Sequence, residues 1–107
     1  MRKLIVSVGL ILAMTHIAQA DEFKARNFLK WPDVQKKYWI RGAMDALGQV
    51  AASKSQEKGL CVMQWYYSDK RAERNSLILA SMEKYPDVIP SAIMVALTER
   101  ECGKYWD

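Results

Sequence analysis

The prolines set the first limits on what this chain can fold into. Only three occur, at positions 32, 86 and 90. A proline inside a helix removes a hydrogen bond and clashes with the preceding turn. The stretch from Pro32 to Pro86 is therefore open to long helices, Pro86 must end one, and Pro90 is placed to open another from its first turn. Apolar residues recur in these stretches at helical rather than alternating spacing. Ile40, Met44, Leu47 and Ala51 form a stripe on a helix predicted over 32–53, and Val34 and Tyr38 extend it backwards. Asp33 favours the positive end of that helix. Gly42 and Gly48 lie inside it at about 1 kcal/mol each against alanine. Together with Ala43, Ala46, Ala51 and Ala52 they predict a tight helix–helix face.

The remaining segments follow from the same signals. Ser53 to Gly59 is polar and reads as a loop, and Leu60 to Tyr67 as an extended or single-turn segment anchored by Cys61, because its Val, Trp and Tyr content lacks a partner strand. Ser68 or Asp69 caps a helix to about Lys84. Its buried side is Leu77, Ile78 and Ala80-Ser81-Met82, and Lys70, Arg71, Glu73 and Arg74 are its solvated first half. Ile89, Ile93, Ala96 and Leu97 share one face of the last helix, which Gly103 closes. Residues 21–30 read as a short helix or ordered arm. The expected fold is all-α: a single domain over 21–107, a small bundle of about four helices.

Residues 1–20 have the pattern of a cleaved secretory leader. Met1-Arg2-Lys3 is a basic start, Leu4 to Met14 is nearly all apolar, and Ala18-Gln19-Ala20 is an A-x-A cleavage signal. Cleavage leaves 87 of the 107 residues, with fourteen basic residues against twelve acidic and without the single histidine, His16. The small net charge argues against nucleic-acid binding. The missing imidazole argues against Ser-His or Cys-His catalysis and His-ligated metal. No second spanning segment follows the leader, so no stable membrane insertion is expected; without histidine no metal is expected either, and no cofactor. In an exported chain the two cysteines, Cys61 and Cys102, are expected to pair. A loop of roughly forty residues closed this way contributes about 4 kcal/mol in the chain-entropy model.

Several stretches then become familiar: Tyr38-Trp39-Ile40-Arg41-Gly42-Ala43-Met44-Asp45-Ala46 on a helix, Cys61 after a polar segment, Lys84-Tyr85-Pro86-Asp87 at a helix end, and Pro90-Ser91-Ala92 opening a helix that carries Ala96-Leu97 and stops at Cys102. In order and spacing, from about Tyr38 to Cys102, they resemble the Rap/Tai family of periplasmic immunity proteins, which protect bacteria from cell-wall amidases delivered by type VI secretion. Val62 and Glu101 stand where that family often has proline. The resemblance implies a small helical protein, stapled by a disulfide and often a homodimer, that binds an amidase effector in the periplasm and blocks its cleft. Other readings from the residues are a periplasmic chaperone or general binding protein and, less well supported for want of a nucleophile or metal site, an envelope enzyme.

An inhibitor needs a few aromatic and charged anchors on a rigid surface. Lys54, Gln56 and Glu57 in the polar loop are candidates, with Cys61 bracing its far end. Trp65, Tyr66 and Tyr67 are the densest aromatic cluster, although three adjacent rings cannot all face outward and core is their plainer reading. Asp33, Asp45 and Asp69 do not pair as catalytic carboxylates; Asp45 reads as solvated or salt-bridged, and Glu99 and Glu101 as exposed charge. Trp39 beside Tyr38 fits a central helix or a dimer seam. Trp106 is expected to pack on the domain or on a second subunit. The leader reading predicts that the exported protein begins at Asp21; intact-mass spectrometry giving an uncut chain starting at Met1 would contradict it.

Overall fold

A computed structural model describes residues 23–107; the leader reading for Met1 to Ala20 lies outside them. The described residues form five helices and no strand: α1 Ala25–Phe28, α2 Asp33–Lys54, α3 Gln56–Tyr67, α4 Arg71–Lys84 and α5 Pro90–Cys102. The all-α expectation holds, and Cys61 and Cys102 are joined with their Cα atoms 5.8 Å apart, fastening α3 to α5.

The largest departure from the sequence reading is at 53–67. No loop and no extended segment exists there. A single residue, Ser55, separates α2 from α3. Its amide donates to the Ala51 carbonyl at 3.0 Å, closing α2, and its hydroxyl accepts from the Lys58 amide at 3.3 Å, opening α3. The polar run failed as a loop signal because Lys, Gln and Glu are good helix formers and serine is a strong N-cap. The β-favouring residues of α3 are overridden by burial: Gly59, Val62, Trp65 and Tyr66 lie on one face at helical spacing.

So short a connection folds α2 and α3 back on each other. Gly59 lets them approach: a Cβ there would stand 2.7 Å from the Ala52 Cα. Gly48 meets α3 as well, through the Met63 thioether. Gly42, by contrast, has open space around it, so the packing role expected of it falls to Gly59. The buried stripe of α2 is Ile40, Met44, Leu47, Gly48 and Ala51. Val34 and Tyr38 do not extend it; they are 64% and 69% exposed.

Around this hairpin, α4 contributes Ile78 and Met82 to the core and α5 contributes Pro90, Ile93, Met94 and Thr98. The buried face of α5 is rotated from the expected one. Ile89 caps the helix in extended conformation and is exposed, as is Ala96. Helix α1 is held where its first amides, orphaned at any helix start, donate to the turn before α5: Ala25 to the Val88 carbonyl at 2.9 Å and Arg26 to Pro86 at 3.0 Å. Arg26 also pairs with Asp87. Phe23, Phe28, Trp31 and Trp39 stack at this end with centroids 5.0–6.0 Å apart.

The C-terminal tail is ordered by charge, which corrects the reading of Glu99 as plain surface. After Gly103, at φ +86°, the Tyr105 and Trp106 amides donate to Glu99 Oε2 at 2.8 and 2.9 Å. These bonds hold the carboxyl below its ordinary range. The Tyr105 ring is buried, its hydroxyl 2.6 Å from Thr98 Oγ1. Lys58 donates to the Lys104 carbonyl at 2.6 Å, and Lys54 pairs with Asp107 at 2.7 Å. Trp106, which was expected to pack, is 48% exposed on this domain; Tyr105 supplies the anchor instead.

The two interhelical glycines should respond differently to alanine. At Gly48 the neighbour is a flexible thioether and the new Cβ favours the helix, so stability should change by less than about 1 kcal/mol. At Gly59 the neighbour is backbone, and Gly59→Ala should lower stability by about 1–3 kcal/mol. Urea melts giving equal changes would contradict this account of the hairpin.

Candidate functional site

The hairpin's arms are unequal, with 22 residues in α2 and 12 in α3. Tyr67, at the end of α3, reaches Asp45 of α2 with its hydroxyl. The part of α2 before that point extends past its partner. Here its exposed side and the start of α4 border an open groove of about 1020 Å³. The floor is Ile40, Tyr66 and Tyr67; Val34, Lys37, Tyr38 and Arg41 stand along one wall, Arg71, Asn75 and Leu79 along the other.

The floor is fixed by hydrogen bonds. Tyr66, 1% exposed, donates to Asn75 Oδ1 at 2.8 Å, tying α3 to α4. Burial pushes its phenol above the ordinary value, against the opposing pull of Asn75, Arg71 and Arg41. The Tyr67 phenol is also raised, by desolvation and then by its bond to Asp45. Asp45 is therefore an exposed acceptor that orients Tyr67. The walls carry an excess of positive charge. Lys37, Arg41 and Arg71 make no ion pair with any described carboxylate. One acid, Asp69, lies at the rim.

The residues predicted for partner contact do not form one site. Trp65 and Tyr66 are core, 7% and 1% exposed, and only Tyr67 retains an accessible edge. Trp65 is covered by Arg74, whose guanidinium lies 4.8 Å from the ring centroid and donates to the Trp65 carbonyl at 3.0 Å. Arg74 is thereby removed from the solvated half of α4 to which it had been assigned. Lys54, Gln56 and Glu57 lie at the Ser55 corner, exposed but helical, so they cannot form a flexible inserting loop. Lys54 is engaged with Asp107.

The groove itself was missed. Its signal was present as Val34, Lys37, Tyr38 and Arg41, at i, i+3, i+4 and i+7, two cations interleaved with two apolar residues on one helical face. Counting only the apolar members made it look like core. Among the described residues no three His, Cys, Asp or Glu come together as a metal site would need, and no helix is long and apolar enough to cross a membrane. Comparison with family models, curated proteins and solved structures gives no match.

The buried phenol gives the floor a pH signature. A raised folded pKa means that the Tyr66 contribution to stability is complete below about pH 10, the unperturbed tyrosine value, and is lost as pH rises through the folded pKa. Spectrophotometric titration should show phenol ionisation persisting above the ordinary tyrosine range, with Tyr66→Phe reducing that late part by the share that Tyr66 contributes beside Tyr67 and Tyr105. A late part of the titration that is the same in wild type and Tyr66→Phe would contradict it.

Proposed function

We propose that the protein is a periplasmic immunity protein, which binds a cell-wall amidase delivered by type VI secretion and blocks its substrate cleft. The observation that carries the reading is the pairing of a disulfide-fastened helical scaffold with an open groove whose wall cations make no ion pair with any described carboxylate. Inhibition by occlusion asks only for such a surface, held in place before the partner arrives. The secretory pattern of residues 1–20 and the resemblance from Tyr38 to Cys102 supply the compartment and the class of target. The disulfide suits an oxidising compartment.

A second reading, a periplasmic chaperone or general binding protein, draws on the apolar tip between α4 and α5, where Tyr85, Val88 and Ile89 are 51%, 38% and 47% exposed. The two readings differ in stoichiometry. The protein, immobilised with its disulfide intact, should retain a single amidase at one-to-one ratio from the lysate of a bacterium armed with type VI effectors, and should stop that enzyme from cleaving purified peptidoglycan. Retention of many unfolded envelope proteins, with no effect on any amidase, would replace the immunity reading with the chaperone.

A further inference from the structure

We infer that the groove between α2 and α4 is the seat of an acidic segment of a protein partner, with carboxylates on Lys37, Arg41 and Arg71 and an apolar side chain against Val34, Tyr38 and Leu79. This deepens the immunity reading and rests on it for the identity of the partner, though not for the chemistry of the groove.

Charge selects the occupant. The three cations come from two helices that face each other across one groove. They find no carboxylate among the described residues, although elsewhere the same fold pairs Arg26 with Asp87 and Lys54 with Asp107. Asp69 is the single acid among the lining residues, and Asp45 behind the floor accepts from the Tyr67 hydroxyl. A carboxylate-bearing segment would meet the guanidinium groups in forked hydrogen bonds, for which arginine is suited. The apolar content argues against a simple polyanion. Val34 and Tyr38 lie open to solvent beside the cations, and a mixed acidic and apolar segment would cover both. Tyrosine and arginine are among the residue types enriched at the anchoring points of interfaces.

The dimensions agree. The part of α2 that runs beyond α3 is about ten residues, or about 15 Å of helix, which accommodates two to three turns of a partner helix. The floor, fixed through Tyr66 to Asn75 and Tyr67 to Asp45, does not have to be ordered on binding.

The test uses protein produced from the full chain, with its disulfide formed, and a fluorescein-labelled helical peptide of Glu and Leu, about twelve residues long. Its counterpart with Gln in place of every Glu is the control. Polarisation should show binding of the Glu/Leu peptide that weakens with added salt, as exposed ion pairs do, and no comparable binding of the Gln/Leu peptide. The pair K37E/R71E should weaken binding about tenfold or more with an unchanged thermal melt, and Tyr38→Ala should weaken it without altering its salt dependence. Equal binding of both peptides, equal binding of an oligothymidylate of matched charge, or indifference to K37E/R71E would overturn the proposal. The same variant separates this inference from the reading beneath it. If wild type and K37E/R71E inhibit a captured amidase equally, the immunity reading stands and the groove proposal falls. If no amidase is captured but the Glu/Leu peptide binds as described, the groove proposal stands without its assigned partner.

Discussion

A single residue governs this molecule. Because only Ser55 lies between α2 and α3, the two helices must fold back directly on each other, and Gly59 against Ala52 makes that reversal sterically feasible. The reversal point and the helix lengths together determine where α3 stops along α2. Beyond that point the first turns of α2 need other cover, which α1 supplies through Phe28 against Trp39. The remaining side stays open and faces α4. The groove is thus a consequence of unequal hairpin arms rather than of an elaborated loop.

The rest of the bundle fastens this hairpin. The disulfide joins α3 to α5 across a sequence separation of 41 residues, a cross-link that in the chain-entropy model acts mainly by restricting the unfolded chain. Polar contacts then lock individual elements: Arg74 over Trp65 ties α4 to α3, Tyr66 to Asn75 repeats that tie at the groove floor, and Thr98 with Tyr105 seals the tail to α5. The two tyrosine contacts bury an aromatic ring while giving its hydroxyl a partner. No buried side-chain nitrogen or oxygen of the described residues lacks a hydrogen bond.

Much of the fold was legible in the sequence, for reasons that can be named. Pro86 and Pro90 bracket the last turn as their chemistry demands, Gly103 takes the positive φ of a helix end, and Ile40, Met44, Leu47 and Ala51 are buried as their spacing implied. The failures share one cause: local composition was allowed to outweigh periodicity. Polar residues at 53–58 looked like a loop although most favour helix, and Val62, Trp65 and Tyr66 looked like strand formers although their spacing was helical. The candidate site suffered more. Position alone could not show that Val34 and Tyr38 lie past the end of α3, since that depends on where the hairpin turns. Nor could it show that Trp65 and Tyr66 are consumed by the core, since that depends on Arg74 and Asn75 arriving from α4.

The functional account joins two kinds of support. The proposed task rests on the leader-like pattern read in residues 1–20 and on the resemblance read from Tyr38 to Cys102. The proposed surface rests on Lys37, Arg41 and Arg71, which pair with no described carboxylate, beside exposed Val34 and Tyr38. Hydrogen–deuterium exchange on the complex with a captured amidase tests this union most directly. The account predicts new protection concentrated on both groove walls, the stretch containing Lys37 to Arg41 in α2 and that containing Arg71 to Leu79 in α4, with the Ser55 corner unchanged. Protection confined to the corner at Lys54, Gln56 and Glu57, or to the tip at Tyr85 to Ile89, would contradict it.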